Sequence, residues 1–414
     1  MTNDWHIIPG GITAPKGFRA VGMAAGLKPS GLPDLTLIVS DVEAIAAGVF
    51  TLNQVCAAPV TYCRERLSNK ASARAILCNA GQANAATGSQ GLMDAHESAL
   101  ALSQILNIPT ESILLASTGV IGQRIKLDAL KAALPQLVSS LSPDGGDSAA
   151  KAITTTDTVP KAIAFETTLH DRPVRIGGIA KGAGMIHPNM ATMLGFVTCD
   201  AAVSPHLWQQ MLSRAADRSF NQITVDGDTS TNDSLIALAN GESRTPAITE
   251  PGADADKLEA MLTEVCMYLA KAIARDGEGA TCLIEVGVTG APDDKSARAI
   301  ARTVAGSALV KSAIFGRDPN WGRIAGAAGR AGVSFNQEDL EIALGDFVLM
   351  QNGQPQSFDR MAAHNYLKQA AEGEYLKSDT VLISVKVGNG HGSGVAWGCD
   401  LSYDYVKINA EYTT

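Results

Sequence analysis

The 414-residue chain has few aromatic side chains, no long apolar run and no block of like charge. Its net charge of −9 is spread along the sequence, whereas nucleic-acid binding needs clustered lysine and arginine side chains. No apolar run approaches the roughly 18 to 20 residues that a membrane-spanning helix requires. The sequence therefore argues against nucleic acid as the main partner and against a membrane-spanning helix.

The cysteines lack the spacing of a disulfide frame or a zinc site. There are seven of them, an odd number, and they are scattered without a Cys-x-x-Cys pair. The amino terminus also lacks a basic stretch followed by an apolar core, which a secretory signal contains. We therefore expect reduced, mostly buried thiols in a cytoplasmic protein.

Apolar periodicity predicts a mixture of strands and helices, and the chain length favours two or three domains. Short apolar runs and one strict alternation predict strands at Leu35–Ser40, Ala75–Cys78, Ser112–Ala116, Val174–Ala180 and Val381–Val387. Helical spacing predicts helices at Asp94–Leu106, after Ser204 and at Asp256–Arg275. Turn residues predict a loop over Ser139–Ser148 and a hairpin at Asn352–Gly353.

One segment carries the most specific signal. Lys181–Asp200 reads KGAGMIHPNMATMLGFVTCD, which is rich in small residues and contains a strand-like apolar run at Met193–Val197. A threonine after an alanine has no functional meaning alone. The whole segment, however, resembles the self-cleavage site of the ornithine acetyltransferase (glutamate N-acetyltransferase) family, with His187 at a variable position.

Further resemblances to this family extend from end to end of the chain. They are Gly10–Phe18 (GGITAPKGF), Asn79–Asn84 (NAGQAN), Ala116–Gly122 (ASTGVIG), Thr154–Lys161 (TTTDTVPK), Asp226–Ser234 (DGDTSTNDS), Gly316–Arg323 (GRDPNWGR) and Tyr403–Thr414 (YDYVKINAEYTT). Coverage of this extent makes a chance match very improbable.

The resemblance implies that the chain cuts itself between Ala191 and Thr192. The Thr192 hydroxyl would attack the Ala191 carbonyl, and water would then release the amino-terminal fragment. A threonine hydroxyl needs a base beside it to act as a nucleophile. The new α-amine of Thr192, with a reference pKa of about 8, would serve as that base.

The resemblance also assigns the remaining site residues. Thr118 and Gly119 would form the oxyanion hole, Thr118 through its hydroxyl and Gly119 through its backbone N–H. Lys181 would bind substrate and favour the neutral form of the Thr192 amine by like-charge repulsion. The other substrate-binding residues implied by the resemblance are Thr155, Glu278, Asn409 and Thr414. By themselves, these residue types are also common at turns, helix ends and solvated surfaces.

The fold implied by the resemblance is α+β, a layered α/β/β/α sandwich with a smaller carboxy-terminal α/β domain. Its expected parts are a core over 1–200 to which the tail 400–414 returns, a second part of that core over 201–283, and the small domain over 284–399. The fragments 1–191 and 192–414 would stay together and pair as α2β2.

The implied reaction moves an acetyl group from N-acetylornithine to glutamate through an acetyl-threonine intermediate. A bifunctional version would also use acetyl-CoA as the acyl donor, and sequence does not separate the two. No metal or cofactor is needed for this cycle. The alternatives are a self-cleaving aminopeptidase or amidohydrolase and, less favoured, a binding protein with a decayed site.

Other motifs give weaker signals. Gly182 and Gly184 and the loop Gly388–Gly394 lack the context of a phosphate-binding loop. The DGDTSTNDS segment has the acidic spacing of a calcium loop without the bidentate glutamate, and we interpret it as a polar loop packed near the active site. His187 and His391 are isolated, so they do not indicate a metal site.

Overall fold

The computed structural model describes residues 4–187 and 193–411. It divides the chain into two compact units. The first unit comprises Met1–Gly182, Pro188–Asn221 and Thr229–Leu269. The second comprises Ala183–His187, Gln222–Asp228 and Ala270–Thr414.

The first unit is built on a nine-stranded sheet. Its strands are β1 (Trp5–Ile7), β2 (Phe18–Met23), β3 (Leu35–Phe50), β4 (Ser72–Gln82), β5 (Ile113–Val120), β6 (Lys161–Leu169), β7 (Arg172–Lys181), β8 (Leu194–Cys199) and β9 (Ser234–Ala239). Its helices are α1 (Ala58–Asn69), α2 (Gly88–Leu106), α3 (Leu127–Ser139), α4 (Gly146–Ala152), α5 (Pro205–Arg218) and α6 (Ala253–Arg275), the last of which ends in the second unit.

The long strand β3 joins two parts of this sheet, whose order is β1-β6-β7-β8-β9-β3-β4-β5, with β2 also pairing with β3. Leu35–Val39 pairs with both β2 and β4, whereas Ile45–Phe50 pairs with β9. The register with β4 shifts between Val39 and Ala44, as it does at a β-bulge. A buried apolar cluster extends from β2–β5 and helices α1–α4 to Phe196 and Ile236.

The second unit has its own six-stranded sheet and its own apolar core. Its strands are β10 (Leu283–Ala291), β11 (Glu341–Leu344), β12 (Phe347–Gln351), β13 (Gln354–Pro355), β14 (Thr380–Lys386) and β15 (Gly392–Cys399), in the order β13-β12-β11-β14-β10-β15. Its helices are α7 (Asp294–Ala305), α8 (Ala308–Phe315), α9 (Trp321–Gly329), α10 (Arg360–Ala371) and α11 (Tyr403–Glu411).

The sequence predicted a part of these elements, and the mixed α+β class is confirmed. The predicted helices correspond to α2, α5 and α6, and the hairpin at Asn352–Gly353 joins β12 and β13. Strand β14 has buried residues at 381, 383 and 385 and exposed ones between them, as the alternation predicted.

The predicted loop over Ser139–Ser148 is wrong at its end, because α4 begins at Gly146. This short helix packs closely on β2. A Cβ at Gly22 would lie 2.0 Å from the Ser148 carbonyl oxygen, so only glycine permits the contact. Tertiary packing of Ala149 and Ala150, both buried, therefore gives this segment a helix that its turn residues do not indicate.

The division between the units differs from the predicted boundary near residue 284, which falls inside β10. The chain from Ala270 onward belongs to the second unit. Two contacts explain the difference. Arg275 pairs with the buried Asp379 carboxylate, and the Tyr375 hydroxyl donates to the Ala272 carbonyl oxygen at 3.0 Å.

All seven cysteines are free thiols, six of them buried. Burial raises the pKa of Cys63 and of Cys78 to about 12, so these two thiols stay protonated near neutral pH. In the part of the chain that the structure describes, none of the helices is long and apolar enough to cross a membrane.

The alternation of buried and exposed residues in β14 predicts that two adjacent alanine substitutions lower the free energy of unfolding by different amounts. Ile383 is 1% exposed and Leu382 is 46% exposed. We expect Ile383→Ala to lower the free energy of unfolding by about 2–5 kcal/mol, because it leaves a cavity in the second core. Leu382→Ala should cost less than about 1 kcal/mol, since surface substitutions usually change stability little.

Urea unfolding measures both variants. The Thr192→Ala background is used so that a single uncut chain unfolds. Equal decreases in the free energy of unfolding for Ile383→Ala and Leu382→Ala would contradict the assigned register of β14.

Candidate active site

The pair Thr118 and Gly119 lies at the end of β5, beside Ala80 and Gly81 of β4. Gly119 has a φ of +126°, and a Cβ there would lie 2.3 Å from the carbonyl carbon of Gly81. No other residue fits such a close approach of two backbones. The glycine in the ASTGVIG motif is therefore required by the geometry of the strand end, independently of any role in binding an oxyanion.

Three of the sequence motifs meet beside this pair. The Asn232 side chain donates to the carbonyl oxygens of Ser117 at 2.9 Å and Ala83 at 2.5 Å. The Ser117 hydroxyl donates to Asn79 Oδ1 at 2.5 Å. NAGQAN, ASTGVIG and DGDTSTNDS thus form one buried hydrogen-bonded network, which fixes the strand ends around Thr118 and Gly119.

The chain that follows the pair is held by an ion pair. Arg124 donates from Nε and Nη2 to the two carboxylate oxygens of Asp94, each at 2.7 Å. The Asp94 side chain is 1% exposed. The hydrogen bond from Arg124 lowers the pKa of Asp94, so the carboxylate remains charged and the loop between β5 and α3 stays anchored to α2.

Lys181 and Thr155, both predicted to bind substrate, are in direct contact. Lys181 Nζ donates to Thr155 Oγ1 at 2.6 Å. Lys181 is the last residue of β7 and its side chain is 9% exposed. The structure therefore brings a nearly buried cation and a hydroxyl group together, as a site for a carboxylate-bearing substrate needs.

A buried carboxylate organises this contact. The Asp157 side chain is fully buried and accepts from Lys161 Nζ at 2.7 Å, from the Gly182 N–H at 2.6 Å and from the Thr155 N–H at 3.0 Å. Lys181 Nζ lies 3.8 Å from its second oxygen. Asp157 thus accepts the backbone N–H of Thr155 and lies close to the charged group of Lys181, the two residues predicted to bind substrate.

Burial alone would raise the pKa of Asp157, but the positive charges of Lys181 and Lys161 and the hydrogen bonds outweigh it. The pKa of this carboxyl is therefore lowered, and Asp157 is an anion at all physiological pH values. Asp157 lies within the TTTDTVPK motif, and neither the motif nor the resemblance assigns it a role. The position of Asp157 between Thr155 and Lys161 is the feature of the sequence that could have indicated its role.

In the second unit, two further predicted residues are in contact. Asn409 of α11 donates to Glu278 Oε2 at 2.8 Å. A Cβ at Gly184 would lie 2.5 Å from a Glu278 oxygen, so the glycine leaves the room that this carboxylate occupies. The Glu278 N–H also donates to the Ala183 carbonyl oxygen at 2.9 Å. The carboxylate is thus fixed against the KGAGMI segment.

Asp226 holds the same segment from another side. Its carboxylate accepts from the N–H groups of Met185 at 2.6 Å and Ile186 at 2.8 Å. Met185 has a φ of +56°, a conformation that a methionine adopts only when its surroundings impose it. Asp226, the first residue of the DGDTSTNDS segment, therefore binds the backbone of the KGAGMI segment.

His187 accepts or donates a hydrogen bond between Nδ1 and the Thr224 hydroxyl, 2.9 Å apart. Burial and the Arg302 charge lower its pKa to about 4, so it is neutral near pH 7. Among residues 4–187 and 193–411, no group of three or more His, Cys, Asp or Glu side chains is placed to hold a metal ion.

The predicted site residues thus fall into three groups. The first unit holds Thr118, Gly119, Thr155 and Lys181, and the second holds Glu278 and Asn409. Ala191, Thr192 and Thr414 lie outside the described residues. Their roles, and those of the six described residues, stay predictions. Asp157 and Asp226 are acidic residues with structural contacts to these segments to which the sequence alone assigned no individual role.

Comparison with known proteins gives close similarities. The ArgJ family matches residues 19–414. Over 411 residues, the chain is 78% identical to the protein named arginine biosynthesis bifunctional protein ArgJ 1 from Nostoc sp., with 99% of this chain and 100% of that relative covered. It is 73% identical over 411 residues to the ArgJ protein of Synechocystis sp., with the same coverage.

Among solved structures, the chain resembles the arginine biosynthesis bifunctional protein argJ from Bacillus halodurans, with a TM-score of 0.50 and 48% sequence identity. The match covers 53% of this chain and 100% of that chain.

The contacts of Asp157 with Lys161 and Lys181 predict that removing its negative charge strongly lowers the free energy of unfolding. Asp157→Asn should lower the free energy of unfolding by about 3–5 kcal/mol, because it leaves Lys161 and Lys181 without their shared counterion. Asp144→Asn, at an exposed aspartate in the first unit, is the matched control and should change stability by less than about 0.5 kcal/mol.

The stabilisation by Asp157 also depends on pH. Because its folded-state pKa is lowered, the contribution is present above the ordinary carboxyl pKa and is lost as the pH falls towards the folded-state value. Urea unfolding at pH 7 and pH 3 measures both effects. A difference between variant and wild type that does not shrink at pH 3 would contradict the charge-based explanation.

Proposed function

The chain belongs to the ArgJ family, and on that premise we propose that it transfers an acetyl group from N2-acetyl-L-ornithine to L-glutamate through Thr192. It is an acyltransferase of arginine biosynthesis. The observation that carries the proposed site is the contact of Lys181 with Thr155, held by Asp157. That cluster belongs to the same unit as Thr118 and Gly119.

The proposed cycle begins with self-cleavage before Thr192. The freed α-amine then takes the proton of the Thr192 hydroxyl, which attacks the acetyl group of N-acetylornithine. Ornithine leaves, glutamate enters, and its amine attacks the acetyl ester. An amide and an amine of similar basicity are exchanged, so the reaction is nearly thermoneutral and needs no cofactor.

Each acyl-transfer step passes through a tetrahedral oxyanion. Thr118 through its hydroxyl and Gly119 through its N–H are the proposed donors, each contributing on the order of 3 kcal/mol to transition-state stabilisation. The hydrogen-bonded network around Ser117 supports this proposal, because it holds the donors in place before substrate arrives. Donors that need no rearrangement stabilise a transition state most effectively.

Charge complementarity supports the choice of substrates. Both are amino acids, so a site for them needs a cation for the carboxylate and an anion for the amine. Lys181, in contact with Thr155 in the first unit, supplies the first. The resemblance to the family implies that Glu278 supplies the second. Thr414 is proposed to complete the site, as the resemblance implies.

A second acyl donor follows from the names of the similar proteins. The relatives in Nostoc and Synechocystis are called bifunctional. We therefore propose that the chain also acetylates glutamate with acetyl-CoA. Association of the two fragments as α2β2, independence of metals and cofactors, and a cytoplasmic location supported by the free thiols are further parts of the proposal.

Substitution of the proposed nucleophile, Thr192, tests both self-cleavage and acetyl transfer. Thr192→Ala should leave one uncut 43.0 kDa chain without transferase activity, whereas Thr192→Ser should retain part of both cleavage and turnover. Thr198→Ala in β8 is the control, since Thr198 bonds the Ile12 carbonyl oxygen within the sheet, and this chain should be cut normally. Mass spectrometry detects the fragments 1–191 and 192–414. Active wild-type enzyme that proves uncut would refute the proposal.

Acceptor dependence tests the reaction itself. Release of ornithine from N-acetylornithine should depend on glutamate and yield N-acetylglutamate in equal amount. Ornithine release at the same rate without glutamate would show a hydrolase instead. Acetyl-CoA and glutamate together should also give N-acetylglutamate, and its absence would remove only the second activity. Chromatography of the amino acids and their acetyl derivatives measures all three outcomes.

A further inference from the structure

Lys28 lies beside the predicted carboxylate-binding pair, and the proposed cycle gives it no role. It belongs to the loop between β2 and β3 and is partly exposed. Its Nζ atom donates to the carbonyl oxygens of Thr154 at 2.8 Å and Pro33 at 2.7 Å. Thr154 directly precedes Thr155, whose hydroxyl oxygen accepts from Lys181 Nζ at 2.6 Å. Two ammonium groups are therefore held against consecutive residues of one loop.

The ammonium group of Lys28 has no ion-pair partner in the described part of the chain. Both of its acceptors are uncharged carbonyl oxygens. The buried Asp34 carboxylate contacts the backbone of the same loop instead, and it accepts the N–H groups of Ala25 at 2.6 Å, Leu27 at 2.6 Å and Lys28 at 2.8 Å. An ammonium group has three N–H donors, so the third donor of Lys28 remains for a ligand.

The loop that carries Lys28 also packs against the predicted oxyanion-hole strand end. A Cβ at Gly81 would lie 3.2 Å from the Leu27 carbonyl oxygen and 3.5 Å from the Lys28 nitrogen. Gly81 is the partner of Gly119 in the pairing of β4 with β5. The backbone of Lys28 is thus fixed near Gly119, while its side chain is bonded to the loop that contains Thr155. Lys28 therefore connects the two groups of predicted site residues in the first unit.

The charges around Lys28 favour an anionic ligand. Burial lowers the pKa of Lys28, and the positive charge of Lys181 lowers it further. The charges of Asp34 and Asp157 act in the opposite direction without cancelling these effects. A carboxylate between the two lysines would relieve their repulsion, and its two oxygens can accept from several donors at once. The Thr155 hydroxyl, which accepts from Lys181, keeps its own proton as a further donor.

We propose that Lys28 is a further substrate-binding residue, which joins Lys181 and Thr155 in binding the α-carboxylate that N-acetylornithine and glutamate share. The inference rests on the proposed acetyl transfer and adds a residue that the resemblance does not name. In both substrates this carboxylate is attached to the same carbon as the nitrogen that releases or receives the acetyl group. Fixing the carboxylate between two lysines therefore places that nitrogen in the same position in both halves of the cycle.

The test combines Lys28→Met with two acetyl donors. Methionine keeps an unbranched side chain of similar length and removes the charge. The donors are N-acetylornithine and N-acetylputrescine, which is the same molecule with a hydrogen atom in place of the α-carboxylate. Cut enzyme is mixed with each donor in the absence of glutamate, so that only acetylation of Thr192 takes place. Mass spectrometry of the fragment 192–414 at several donor concentrations gives the second-order rate constant of acetylation.

We expect Lys28→Met to lower the rate constant for N-acetylornithine by about tenfold or more, because a hydrogen bond between two charged groups is lost. The rate constant for N-acetylputrescine should change by less than about threefold, since this donor has no carboxylate to lose contact with Lys28. A purely structural role for Lys28 would lower both rate constants by the same factor. Lys28→Arg keeps the charge and should recover part of the preference for N-acetylornithine.

Lys126→Met is the matched control. Lys126 Nζ also donates to a carbonyl oxygen of the loop between β2 and β3, that of Gly26, at 3.1 Å, but Lys126 is exposed to solvent. The variant thus removes an equal charge and one contact of the same loop. It should leave both rate constants within about twofold of wild type, because solvent and salt screen an exposed charge.

Circular dichroism and the fragment masses check that each variant is folded and cut. Folded and cut Lys28→Met that slows both donors equally, or slows neither, would overturn the inference and leave the proposed function intact. Lys28→Gln, whose amide can still donate to a carbonyl oxygen, replaces it if the methionine variant does not fold or is not cut. Failure of both variants at that stage would show a structural role and also overturn the inference. Wild-type enzyme that N-acetylornithine does not acetylate would overturn the proposed function itself.

Discussion

The predicted site residues of the first unit depend on the ion pairs and hydrogen bonds of one buried carboxylate, Asp157. One buried carboxylate neutralises Lys161, lies near Lys181 and accepts the N–H groups of Thr155 and Gly182. Without it, two lysines of very low exposure would lie in a medium that disfavours their charge. With it, Lys181 can remain a cation directed at Thr155. The lowered pKa of Asp157 thus keeps a negative charge beside the two nearly buried lysines.

Local patterns predicted those elements that have a periodicity within a single segment. The alternation of β14 and the apolar stripe of α6 require no knowledge of distant residues. Helix α4 was missed for the opposite reason, since it is stabilised by its packing on Gly22, more than 120 residues earlier in the sequence. The same limit applied to the boundary between the units, which depends on contacts such as that of Arg275 with Asp379.

The candidate site was predicted from resemblance, and the residues that the resemblance named are the ones expected to touch substrate. The residues that support them were not named. Asn232 connects strand ends that lie far apart in sequence, and Asp226 binds the backbone of Met185. Such supporting roles consist of hydrogen bonds to main-chain atoms, which leave no characteristic pattern of residue types in a sequence. Only the folded chain shows which asparagine or aspartate performs them.

Asp157 and Asp233 show how one unit shifts the pKa values of identical side chains in opposite directions. Both are buried, so desolvation acts on both in the same direction. Asp157 has two close lysines and several N–H donors, which outweigh burial and keep it an anion. Asp233 has one oxygen without a hydrogen-bond partner among the described residues, and burial raises its pKa well above the ordinary value. Divergent pKa values in like groups mark a division between electrostatic and proton-transfer roles. In this chain, the lowered pKa of Asp157 fits an electrostatic role beside Lys181.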